Sequence, residues 1–191
     1  MSSLKLLHSG GNGVIISAPS SNPAANRTIT VPGNADGEML TTTNPKTGNI
    51  LQVVYAETTT KVSTVSGNYV DTGITATITP SSNSSKILVV VSLQWMLYRE
   101  ATETNGSFKL LRGSTNISEH SDAVHIEAGT TSQSRIISEG GYMIQKLDSP
   151  ATTSATTYKV QFKTNVTANS ASMDVNRNNA PGCITLMEVA G

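Results

Sequence analysis

The chain has 191 residues, with 13 Lys+Arg balancing 13 Asp+Glu to a formal net charge of zero. Hydrophobic residues make up 37% and aromatics only 4%. The absence of a Lys/Arg run argues against nucleic acid as a partner, and no apolar run approaches membrane-spanning length. A single cysteine, Cys183, rules out an intrachain disulfide and a C-x-x-C metal motif, and reads as a small buried hydrophobe in an apolar strand.

Residues 1–48 hold four of the seven prolines. The run from Met1 to His8 lacks the ~7–15-residue apolar core of a signal peptide, so the chain is expected to be made in a cytoplasm without an export signal of its own. The glycines of His8-Ser9-Gly10-Gly11-Asn12-Gly13 read as a turn, because a phosphate-binding loop would need a Lys and a following helix. Strand candidates follow at 13–18 and 27–31, and Pro32-Gly33-Asn34-Ala35-Asp36-Gly37 is a turn signal. Too polar to bury itself, this segment is expected to lie extended along another surface, as a docking and trimerisation segment. Ile29, Val31, Met39 and Leu40 are its docking candidates.

From Asn49 onward, short β-branched runs alternate with Ser, Thr, Asn, Gly and Pro clusters, the texture of an all-β sandwich. The first strand is expected at 50–56. Residues 69–79 alternate through Val70, Ile74, Ala76 and Ile78, a half-buried strand by its period of two. After the loop 80–85 comes the longest apolar run, 86–98, whose β-branched content favours a central strand over a helix. Further strands are expected at 108–112, 135–138, 142–147, 157–164, 172–176 and 183–189, with a turn at 113–115. Residues 99–107 and 114–134 read as long polar loops. The fold expected is all-β: a jelly-roll sandwich of about eight antiparallel strands over 49–191, its last strand central, preceded by the extended segment 1–48. Because so few aromatics must fill a sandwich core, the missing burial is expected from an oligomer interface.

Several phrases resemble those of bacteriophage structural proteins, particularly from marine phages: Thr77-Ile78-Thr79-Pro80-Ser81-Ser82-Asn83-Ser84-Ser85-Lys86-Ile87-Leu88-Val89, Leu147-Asp148-Ser149-Pro150 with Thr156-Thr157-Tyr158-Lys159-Val160-Gln161-Phe162, and the ending Ile184-Thr185-Leu186-Met187-Glu188-Val189. Ile29-Thr30-Val31-Pro32 followed by Ala35-Asp36-Gly37-Glu38-Met39-Leu40-Thr41-Thr42 is similar to a segment of phage tail-fibre and appendage proteins. The resemblance implies a homotrimeric jelly-roll knob, similar in architecture to the tumour-necrosis-factor and complement-C1q heads. It implies a virion location, with other tail or capsid proteins as partners. Two roles stay open: a fibre, tip or knob appendage contacting host surface glycans, and a capsid decoration protein that cements the shell.

No cofactor or catalytic residue is expected. Serines abound, but no Gly-x-Ser-x-Gly exists, and sequence alone cannot pair two carboxylates across a groove. The densest polar cluster runs from Glu119 to Glu127. There His120 and His125 are metal-ligand candidates, although their spacing of five sends them to opposite faces of a strand. Trp95, Tyr98 and Arg99 are candidates for a sugar-stacking platform, with Glu119 and Asp122 as polar ligand-binding candidates. Trp95, inside the longest apolar run, reads more readily as a core or subunit-interface aromatic.

Overall fold

The computed structural model describes residues 3–7, 9–11, 13–17, 45–101, 103–127 and 135–191. The strand candidate at 27–31, the turn at 32–37 and the docking candidates Ile29, Val31, Met39 and Leu40 lie outside the described residues. The chain divides into two units, Met1–Met39 and Leu40–Gly191.

In the first unit β1 (Ser3–Leu7) and β2 (Gly13–Ser17) pair antiparallel, from Ser3 opposite Ser17 to Leu7 opposite Gly13. The glycine-rich run forms the turn, and Gly11 sits at φ +90°, a conformation that costs only glycine little. The N-terminal segment therefore contains a hairpin rather than a purely extended chain.

The second unit carries β3 (Ile50–Thr58), β4 (Val62–Thr64), β5 (Val70–Ile78), β6 (Lys86–Arg99), β7 (Glu103–Arg112), β8 (Thr115–Glu127), β9 (Ile136–Asp148), β10 (Thr156–Thr164), β11 (Ser172–Val175) and β12 (Gly182–Val189). They build two antiparallel sheets. One has four strands in the order β5-β10-β7-β8. The other has six and is organised by β6, which pairs with β9 along one edge. The other edge of β6 is shared: β12 pairs with its first half and β11 with its second, and these carry β3 and β4 respectively. The longest apolar run is thus the central strand, and the C-terminal strand lies inside the sheet between β3 and β6.

Alternation creates the core between the sheets. Ile87, Val89, Val91, Leu93 and Leu97 of β6 and Ile184 and Leu186 of β12 point inward and are buried. Across from them, on the four-stranded sheet, stand Ile74 and Ile78 of β5, Tyr158, Val160 and Phe162 of β10 and Phe108 and Leu110 of β7, each buried. Three aromatics at the centre supply the volume that the sparse aromatic content made doubtful.

Two polar clasps close the ends of this core. Arg112 Nη1 on β7 donates to both carboxylate oxygens of Asp148 on β9, at 3.0 and 2.9 Å, and the buried Tyr158 hydroxyl donates to Asp148 Oδ2 at 2.7 Å. That cluster ties one sheet to the other. On β12, fully buried Glu188 accepts from Ser81 N (2.7 Å), Ser81 Oγ (2.6 Å) and Gln52 Nε2 (2.6 Å). Burial works against its ionisation, but these donors outweigh it and hold the carboxyl below its usual range.

Three expectations need correction. In the stretch 114–134, expected to be a long polar loop, Thr115–Glu127 forms β8 and pairs with β7 from Glu103 opposite Glu127 to Arg112 opposite Thr115, while 128–134 lie outside the described residues. Strand β8 ends its sheet and needs few apolar residues, and irregular register near Asp122 (φ 49°) breaks its period. Residues 103–107, likewise expected in a loop, open β7. The stretches 135–138 and 142–147 are one strand, β9. Between them, Gly140 is where the Trp95 ring lies: a Cβ there would sit 2.9 Å from Trp95 Cζ2. With the short β4, this makes ten strands among the described residues of the unit rather than about eight.

Candidate functional site

The two sheets turn very different faces outward. In the six-stranded sheet, residues in register form rows across β3, β12, β6 and β9. One row is Val53, Met187, Leu88, Leu147; the next is Tyr55, Thr185, Val90, Gln145; the third is Glu57, Cys183, Ser92, Met143. Ile50 opposite Val189 starts the array, whereas Ile137 opposite Tyr98 lies on the same face but beyond the row of Met96 and Glu139. Of the seven large hydrophobic side chains exposed among the described residues, six belong to this face: Ile50, Val53, Tyr55, Ile137, Met143 and Leu147. Val53 and Met143 are 57% and 58% exposed. Scattered exposed apolar residues need no explanation, whereas a contiguous array marks an interaction surface.

Charges bound the array instead of entering it. Lys86 stands at the Ile50 end and Glu57 at the opposite end of the β3 rows, where its Oε2 accepts from Tyr55 at 2.5 Å and pushes that phenol up to about 12. Beyond the third row, Arg177 Nη1 reaches Glu139 Oε1 at 2.6 Å and Met96 Sδ at 3.0 Å, covering Met96. Asp174, beside Met96 in register, pairs with Lys61 at 2.9 Å.

The four-stranded sheet turns outward Asp71, Thr75 and Thr77 from β5, Thr157, Lys159 and Gln161 from β10, and Lys109 opposite Glu119. These side chains bond to one another. Asp71 accepts from Lys159 (3.0 Å) and Gln161 (2.7 Å), and the Thr77 and Thr157 hydroxyls share a 2.8 Å bond. Tyr69 lies under two ammonium groups, Lys109 at 4.2 Å and Lys163 at 4.9 Å from its ring centre. Its hydroxyl donates to Glu119, and burial first, then that bond, pushes the phenol up to about 12. A recess of about 240 Å³ opens over Gly73 between Asp71, Thr75 and Lys159.

The residues singled out from sequence do not converge. Trp95 is half-buried on the inward side of β6 and donates to Gly141 O at 3.3 Å, while Tyr98 faces outward and donates to Glu100 at 2.8 Å. Arg99 contacts the carbonyl of Glu103. Trp95, Tyr98 and Arg99 therefore do not form one platform. His120 faces inward, its Nδ1 2.7 Å from the Tyr142 hydroxyl and its Nε2 2.9 Å from Ser118 Oγ. His125 faces outward, 3.3 Å from Glu103. Glu119 bonds Tyr69 and Asn116, and Asp122 Oδ1 accepts from Asn165 Nδ2 at 2.6 Å. Among the described residues no group of three or more His, Cys, Asp and Glu is placed to hold a metal ion. The apolar array escaped sequence reading because its rows join positions more than 90 residues apart. Its one local trace is alternation in β6 and β12 with apolar residues at both parities.

No protein-family model matches the chain, and no curated protein matches it. Among solved structures it is similar to a chain from the disulfide-linked pili of Bacillus endospore appendages, at 11% identity over 82% of this chain and 100% of that one, with a TM-score of 0.27. It is also similar to a chain of infectious bursal disease virus, Gt strain, at 13% identity over 95% of this chain (TM-score 0.29), and to one from T=1 particles derived from that virus, at 13% over 94% (TM-score 0.31). The chain spans about half the length of those viral chains. These neighbours are viral and appendage proteins. Likeness this distant establishes neither a fold family nor an activity, and what the chain itself has is an all-β, two-sheet sandwich.

Proposed function

We propose that the protein is a non-enzymatic structural subunit of a bacteriophage virion, working as a homotrimer with a jelly-roll head. The observation that carries this reading is the apolar outer face of the six-stranded sheet, which gives each chain a surface to be covered. The sequence phrases at 77–89, 147–162 and 184–189 support the virion assignment by resemblance. Strand order supports the jelly roll: β12 lies beside β3, and the chain changes sheets between β4 and β5, β5 and β6, β6 and β7, β8 and β9, β9 and β10, and β10 and β11. Zero net charge and few flexible lysines suit a close-packed particle component.

The role favoured is an appendage, a fibre tip or knob that meets the host surface. Its bonded polar sheet face, with Tyr69, Lys109, Lys163 and the Asp71–Lys159 recess, offers donors and a ring for surface glycans, multiplied by copy number. The ordered hairpin β1–β2, in the segment expected to dock, suits the second role, a capsid decoration protein joined to shell subunits. Purified protein is the test. Adsorption to host cells with blocking of infection supports the appendage. Stoichiometric binding to bare expanded capsids without cell adsorption supports decoration, and failure to associate with any virion component overturns both.

A further inference from the structure

We propose that the apolar array on the outer face of the six-stranded sheet is covered by a second copy of this chain, so that the subunits meet through β3, β12, β6 and β9. This names the partner surface of the oligomer in the preceding proposal and rests on that reading. Three observations select a second copy. The first is area. With roughly half of ~200 Å² uncovered on each, Ile50, Val53, Tyr55, Met143 and Leu147 leave on the order of 500 Å² of surface. Half-buried Leu88, Val90 and Met187 extend it toward the ~800 Å² that each partner gives to a stable protein contact. The second is charge. The array holds no charge inside it, and Lys86 and Glu57 of opposite sign stand at its ends. A highly charged partner finds no complement there, whereas identical chains of zero net charge meet without net repulsion. The third is the boundary. The Arg177–Glu139 pair over Met96 and the Lys61–Asp174 pair turn the sheet polar beyond the third row, giving the contact an apolar centre and a charged rim.

Cys183 lies in the third row, half-buried and free, and so reports on coverage of the face. The experiment compares the full chain with Val53→Glu/Met143→Glu, both at exposed positions, and with Thr75→Glu on the polar sheet as control. Sedimentation at micromolar concentration gives mass, far-UV circular dichroism gives the fold, and a thiol reagent gives Cys183 accessibility. The expected result is an oligomer for the wild type and the control, each slow to label. The double variant should be a folded single chain, with labelling faster by at least tenfold. An oligomer of unchanged mass in a folded double variant overturns the assignment of the face while leaving the virion oligomer standing. A wild-type single chain with fast labelling overturns both, as does one whose Cys183 becomes protected only on adding phosphatidylcholine vesicles. Should the double variant not fold, Leu147→Lys alone, at the outer strand of the same face, is read in the same three ways.

Discussion

The outer faces of the two sheets differ far more than their inner faces do. Inward, both follow one rule: the alternating positions are mostly apolar, and Ile87, Ile184, Tyr158 and Phe108 are equally sealed from water. Outward, the four-stranded sheet bonds its own polar groups into pairs, Asp71 with Lys159 and Gln161, Thr77 with Thr157. The six-stranded sheet instead leaves Val53, Tyr55, Met143 and Leu147 uncovered. The lesson concerns what each face solves. A core needs apolar residues whatever lies outside it, whereas an outer face needs them only when something else covers it. Folding of one chain explains the polar sheet completely and the six-stranded sheet only by half.

Four substitutions probe this contrast. The largest effect belongs to the core both sheets share. Phe162→Ala should destabilise by about 3–5 kcal/mol, because the fully buried ring leaves a cavity that the opposite sheet cannot fill. Denaturant unfolding should lose both sheets in one transition, and loss of one sheet alone would show that the sandwich is not a single cooperative unit. Next comes the clasp between sheets. Asp148→Ala strands Arg112 and the Tyr158 hydroxyl and should cost about 2–3 kcal/mol, with Asp148→Asn costing less because the amide still accepts from the hydroxyl. An Asp148→Asn variant as stable as the wild type would deny the carboxylate its special role, and a loss equal to that of Asp148→Ala would show that the amide keeps none of it.

The third is the Glu188 carboxylate. Its carboxyl is held below its usual 4.5 in the folded chain, so the folded state binds its proton less readily than the unfolded state does. Its contribution is therefore complete above the unfolded value and is lost as pH falls through the lower, folded one. Glu188→Gln should cost about 1–2 kcal/mol at pH 7, nearly nothing at strongly acid pH, and flatten the acid limb of stability against pH. An acid limb identical to that of the wild type would assign it to other carboxylates. The smallest effect is expected on the polar face. Lys159→Ala removes a solvent-screened partner of Asp71 and should change stability by less than about 0.5 kcal/mol. A loss well above that, read in the same unfolding experiment, would make the polar face a structural element rather than a free surface.

Strands β5, β6, β10 and β12 were legible because period-two alternation or a long β-branched run survives in each, and the central place of β6 followed from its apolar length. The β8 strand was illegible because it ends its sheet, faces solvent and bends at Asp122. The gap left between 135–138 and 142–147 was wrong for a different reason: Gly140 within it makes room for the Trp95 ring, which comes from another strand. The candidate residues fared similarly. That His120 and His125 face opposite ways follows from spacing alone. The separation of Trp95 from Tyr98 also follows from parity, three positions apart on one strand, though shared composition made them look like one platform.

The order of residues by itself determined the class of structure, because side-chain direction along a strand repeats every two residues and needs no neighbour to be read. It also determined the inward set where alternation is clean, as in β5 and β10. Only the tertiary structure decided that Val53, Met187, Leu88 and Leu147 stand in one row. Register between strands is set by pairing over long stretches of chain, and a contiguous apolar surface exists only once those pairings have been made.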